Sequence, residues 1–164
     1  MTIRLIRPDD DRMAVSWVYE ESWKTVYRGI IPDAFLDSIP VGHWMAARSD
    51  GPTDRTLLLL DGGEIIGVST VCRSRFGDWP DWGEVVSLYL RPAYMDKGLG
   101  GPLLEAAVNA LREQGFRQIF LWVLEENARA RHFYEKHGFV CSGDAREDEI
   151  GGKIVREARY IHSF

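Results

Sequence analysis

The sequence predicts an α+β fold, a mixed and mostly antiparallel sheet of about six or seven strands flanked by helices. Three observations lead there. Short β-type runs recur along the chain, helical stripes interrupt them early and again in the second half, and Asp61-Gly62-Gly63 joins two apolar runs as a hairpin turn. At 164 residues, one domain spanning 1–164 is expected.

Ile3–Ile6 reads as an opening strand ended by Pro8. Asp9 and Asp10 are good caps for a helix over Asp11–Tyr27, which Gly29 stops. Pro32 opens a short helix near Asp33–Ser38; a further one is expected over Gly42–Arg48, then a loop at Ser49–Asp54. Arg55–Leu60 and Glu64–Cys72 are the hairpin strands, and the aromatic loop Arg73–Trp82 leads into a strand at Glu84–Leu90. From Gly98 a helix carries Leu103, Leu104, Ala107, Val108 and Leu111 on one stripe and ends at Gly115, with Pro102 tolerated in its first turn. Gln118–Leu124 reads as a buried strand. Asn127 caps a helix that turns Phe133 and Tyr134 inward and stops at Gly138. Phe139–Ser142 and Lys153–His162 read as final strands, separated by an acidic loop around Gly143–Gly152. The order β-α-α-β-β-β-α-β-α-β-β places a βαβα unit in the second half.

Charge and composition narrow the function. A formal net charge of −5 without a Lys/Arg run argues against a nucleic-acid partner. No stretch approaches the roughly 18 apolar residues of a membrane helix, and the first residues lack the apolar core of a signal peptide, so a soluble cytoplasmic protein is expected. Cys72 and Cys141 each sit in an apolar strand-like run and read as small core residues in a reducing compartment. His43, His132, His137 and His162 have no metal-ligand spacing, so no metal is assigned.

Residues 85–104, Val85 to Leu104, read as a strand, a loop, a glycine-rich turn and the start of a helix. Such a junction aims unpaired backbone N–H groups and the positive end of a helix at one spot, where a phosphate can sit. A P-loop is excluded because Lys97 precedes the glycine and no hydroxyl follows Gly100. A dinucleotide fingerprint, as in a nicotinamide-dependent reductase, fits poorly, since Leu103 stands where its third glycine belongs.

A third signature runs through Met95, Asp96, Lys97, Gly98, Leu99 and Gly100, with Ser87–Pro92 before it and Leu121–Phe139 after it. Together with Trp23–Pro32, these segments resemble the GNAT superfamily of acyl-CoA-dependent N-acetyltransferases. The resemblance implies acetyl-CoA as co-substrate and a primary amine of a small molecule or peptide as acceptor, joined by direct attack in a ternary complex. It implies a strand that bulges and splays at Leu88–Leu90, with the pantetheine arm in the gap against the backbone of Leu88 and Leu90. The diphosphate would rest on Met95, Lys97, Gly98, Gly100 and Gly101, with Asn127 touching the arm. Met95 departs from the usual Gln or Arg; it keeps the backbone amide but loses a side-chain donor, and Lys97 offers a nearby charge in its place.

By the same resemblance Tyr134 is the general acid, and Glu84 is a base acting directly or through water. Periodicity alone leaves Tyr134 open as a core aromatic and Glu84 as a solvated strand-end carboxylate. Trp79, among the acids of the loop Phe76–Trp82, is suited to grip a cationic amine; Trp23 and Tyr27, on one helical face, line the pocket or belong to the core. A catalytically silent acyl-CoA sensor is the alternative, and a homodimer through an exposed C-terminal strand is a further expectation.

Overall fold

The computed structural model describes residues 1–46 and 51–164. Its strands are β1 (Thr2–Leu5), β2 (Arg55–Asp61), β3 (Glu64–Arg73), β4 (Gly83–Leu90), β5 (Gln118–Leu124), β6 (Val140–Ile150) and β7 (Lys153–Ser163). The helices are α1 (Arg12–Val26), α2 (Asp33–Ser38), α3 (Gly100–Glu113) and α4 (Ala128–Lys136). One sheet of order β1-β2-β3-β4-β5-β7-β6 holds all the strands. Every pairing is antiparallel except β4 with β5, which α3 connects as a crossover.

Helix α3 buries Leu103, Leu104, Ala107, Val108 and Leu111, the predicted stripe, against one face of the sheet. Each fully buried aliphatic side chain there contributes roughly 1.5–3 kcal/mol. The opposite face carries α1 and α2: Val15 and Val18 pack with Leu58, Ile65 and Val68, and Ile31, Leu36 and Ile39 pack with Leu124 and Val155. Strand β5 is buried on both faces, as its unbroken apolar run requires.

Several expectations need correction. Asp11 caps α1, its side chain accepting from the Met13 and Ala14 amides, while Asp10 instead accepts from the Arg4 guanidinium at 2.7 and 2.8 Å. The segment from Val41 to Ala46 is a run of turns rather than a helix. Its backbone is held to α1 by a buried network: the Gly42 amide donates to Glu20, the Trp44 amide to Ser16, and the Ser16 hydroxyl to Glu20. Residues 47–50, where that expected helix ends and the next loop begins, lie outside the described residues.

The largest error concerns the acidic segment after Ser142, which is not a loop. It continues β6 out to Ile150 and pairs with β7 as far as Ile150↔Lys153, turning at Gly151-Gly152. A largely exposed edge strand needs little apolar alternation, so its charged sequence concealed it. Strand β7 lies between β5 and β6, so the C-terminal strand is covered rather than exposed. Cys141 lies exposed on β6, whereas Cys72 is buried, its thiol pushed up to about 11 by burial.

Candidate active site

Two local features open a gap in the middle of the sheet. Strand β4 pairs with β5 only through Gly83↔Ile119 and Glu84↔Phe120; beyond Glu84 the two diverge. In the β3–β4 ladder, Thr70 opposes Ser87 while Val71 opposes Val85, so Val86 is an extra, bulged residue. The bulge lies at Val86, earlier in the strand than the expected Leu88–Leu90. It reverses which parity faces which side. Val85, Leu88 and Leu90 all pack on the α3 side, while Tyr89 packs on the α1 side and Ser87 bonds Tyr19 there.

The backbone past the bulge has one free edge. The Arg91 amide donates to Ile66 O at 2.8 Å, and antiparallel alternation then turns the N–H and C=O groups of Leu88 and Leu90 away from β3. They face the gap, where β5 pairs with nothing on that side.

A cleft of about 1020 Å³ runs through this gap. On the α3 side it reaches Met95, Gly98, Gly100 and Gly101, with Asn127 and Tyr134 across from them. Gly98 has φ +74°, and a side chain there would be strained. At Gly100 and Gly101 the constraint is helix packing. A Cβ on Gly100 would lie 3.2 Å from the Phe133 ring and one on Gly101 2.8 Å from His137 Nε2, so these glycines let α4 approach α3. Pro102 deletes one N–H, leaving the first-turn amides of Gly100 and Gly101 as donors without helical partners. Asn127 caps α4 by accepting from the Ala130 amide.

On the α1 side the cleft is lined by Trp23, Tyr27 and Tyr89, then by Trp122, Arg75, Glu84, Arg146 and Glu157. Tyr27 and Tyr89 hydroxyls lie 2.9 Å apart. Tyr134 is half-buried beside Phe133 and Phe139, and burial, with Tyr89 as a lesser cause, pushes its phenol well above its ordinary value. Glu84 is almost fully buried; Arg75 donates to both its oxygens, with the shortest contact at 2.7 Å. It is therefore neither solvated nor free, but half of an ion pair.

Two predicted site residues stand apart. The Lys97 ammonium rests 5.4 Å from the centre of the Tyr94 ring, and Lys97 does not line the cleft. Trp79 is occupied by the chain's own Arg159, whose guanidinium carbon is 3.7 Å from the centre of its ring, and Trp79 packs on Phe120 and Trp122. The aromatics Trp79 and Trp82 of this loop thus close over β5, and of the loop only Arg75 lines the cleft among the described residues. Tyr89, Trp122, Arg146 and Glu157 were not singled out from sequence, because they come from separate strands and no linear motif joins them. Among the described residues, no cluster of His, Cys, Asp and Glu could hold a metal, and no helix is long and apolar enough to cross a membrane.

A half-split mixed sheet with a glycine nest at the mouth of the split defines an acyltransferase of the GNAT type. The chain belongs to that family: the model of the acetyltransferase (GNAT) family matches residues 15–139. The chain is 25% identical to the spermidine N(1)-acetyltransferase of Thermoplasma acidophilum over 151 residues, 87% of this chain and 88% of that one. It is 35% identical to the mycothiol acetyltransferase of Corynebacterium glutamicum over 98 residues, which are 59% of this chain. The match spans about a third of the length of that relative, 32%. Among solved structures, the PaiA N-acetyltransferase of Thermoplasma acidophilum in complex with coenzyme A superposes with a TM-score of 0.75 at 24% identity over the whole of both chains. The ribosomal-protein-alanine N-acetyltransferase of Brucella melitensis superposes with a TM-score of 0.78 at 16% identity, again over both whole chains.

Proposed function

We propose that this protein transfers an acetyl group from acetyl-CoA to a primary amine by direct attack within a ternary complex. The observation that carries the reading is the continuous cleft, which joins the glycine nest to the aromatic and charged lining of the opposite sheet face. A diphosphate fits the open, positive-φ turn at Gly98 and the free amides of Gly100 and Gly101, and Met95 contributes its backbone there. The outward backbone groups of Leu88 and Leu90 fit an extended amide-bearing arm, with the Leu90 amide close to the charge that builds on the thioester oxygen.

The amine nitrogen attacks the thioester carbonyl carbon; the C–N bond forms, the C–S bond breaks, and the nitrogen gives up a proton. Tyr134 protonates the departing sulfur. Its raised value keeps it in the phenol form at neutral pH, so a proton stands ready for the departing sulfur; because a thiol ionises near ~8.5, that transfer is uphill by itself and is drawn on by the breaking of the C–S bond. Glu84 is shielded by Arg75, and a water-relayed route to it competes with Glu157. Glu157 bonds Arg146 through Oε2 alone among the described residues, leaving Oε1 as a proton acceptor. Trp23 and Tyr27 form the acceptor wall.

Thiol release from acetyl-CoA across a panel of amines tests this directly. In Tyr134→Phe, kcat is expected to fall about 10²-fold with coenzyme A affinity unchanged. Met95, which lacks the usual side-chain donor, supports a second reading as a silent acyl-CoA sensor. That reading predicts coenzyme A binding, no thiol release with any amine, and no consequence of Tyr134→Phe.

A further inference from the structure

The acceptor half of the cleft holds cationic donors that the described residues leave partly unused. Arg75 and Arg146 both line it, and both sit against the Phe76 ring, their guanidinium carbons 5.8 and 4.8 Å from its centre. Their side chains remain 54% and 35% exposed, so a ligand can reach them. Arg75 uses Nε and Nη2 on Glu84, and Arg146 uses Nε on Glu157. Nη1 of Arg75 and both Nη groups of Arg146 make no hydrogen bond among the described residues. The Trp122 indole N–H, between them on β5, is also without a partner there. Arg159 differs in access: its Nη1 also lacks a partner, but it is 6% exposed, packed among Trp79, Trp82 and Phe120, and does not line the cleft.

The carboxylates of this face are largely spent, since both oxygens of Glu84 and one of Glu157 already accept. A polycation entering here would meet two guanidiniums whose partner charges are engaged. An acid group would meet planar donor forks suited to bidentate contact. From this imbalance we infer that the acceptor is a zwitterion, a primary amine that carries a carboxylate or phosphonate on the same short skeleton. Arg146 and Arg75 take the acid group, and the amine is left toward Glu157, Tyr89 and Tyr134. Specificity against polyamines then comes from repulsion as much as attraction. This inference rests on the acetyltransferase reading above.

The test compares matched amines that differ only in the acid group, such as phenylalanine against phenethylamine, with phosphonate analogues and spermidine alongside. Thiol release is measured with the full-length protein and acetyl-CoA. The acid-bearing partner is expected to show at least a tenfold higher kcat/KM. Arg146→Gln is expected to bring the kcat/KM ratio of the acid-bearing to the acid-free amine toward one, the change in that ratio arising from the KM of the acid-bearing partner. If acid-free amines or spermidine are used as well as their acid-bearing counterparts, the zwitterion assignment is wrong and the acetyltransferase reading stands. That wild-type comparison decides the matter even if the variant fails to fold. Should no amine of any class release thiol while coenzyme A still raises the melting temperature, both readings fall.

Discussion

Tyr134 illustrates how one residue gains chemical meaning from position. On its helix it is one aromatic in a stripe, but the strand gap opens in front of it, and burial holds its proton firmly. Met95 is the converse: it lines the nest and brings no side-chain donor. Met95→Gln is therefore expected to tighten coenzyme A by roughly 0.5–1.5 kcal/mol, about two- to tenfold in Kd by calorimetry; no gain would mean the side chain does not reach the diphosphate. Asp10 carries a stability prediction. The Arg4 guanidinium, with a smaller contribution from the Arg7 amide, holds its carboxyl at about 2, below its ordinary value. Its contribution is thus complete above about pH 4 and disappears as pH falls through about 2. Asp10→Asn should cost roughly 2 kcal/mol in urea unfolding at pH 7, and that cost should vanish toward pH 2.

Among elements, β4 decides the architecture of the site. Its bulge at Val86 lets Val85 and Leu88 face the same side, so that Tyr89 and Leu90 look into opposite halves of the cleft. Deleting Val86 would join Val71↔Val85 and Thr70↔Ser87 into one unbroken ladder, keeping Leu88 and Leu90 on the α3 side but removing the local bend of the bulged strand beside the gap. That variant is expected to keep its core and fold, and to lose the coenzyme A-induced rise in melting temperature; an undiminished rise would show that the bulge does not shape the cleft. Helix α3 was legible from sequence because a 3.6-residue apolar stripe and flanking glycines mark it at every turn. Most of β6 was not, because an edge strand of Asp, Glu and Arg carries neither an apolar period nor a distinctive composition. The bulge was foreseen by resemblance alone, and its position had to come from the register.

At the scale of the molecule, the sheet consists of two parts: β1 to β4 on one side, and β5, β7 and β6 on the other. Among the described residues, two residue pairs of the β4–β5 ladder and the crossover through α3 join them within the sheet. The nest half of the site was readable because one contiguous segment, Met95–Gly101, builds it. The acceptor half was not, because Arg75, Trp122, Arg146 and Glu157 meet only after the strands take an order far from that of the chain. If the pantetheine arm fills the missing rung, Leu88 and Leu90 amides should exchange rapidly in the free protein and slow markedly with saturating coenzyme A. Hydrogen exchange that ignores coenzyme A at those positions would count against the strand-like arm. The brevity of the β4–β5 pairing also has a mechanical side. Pulled apart by its two outer strands, the molecule should tear first along this short parallel junction, at a force set by whether a ligand bridges it. A chain tethered in that geometry would act as a gauge of its own occupancy.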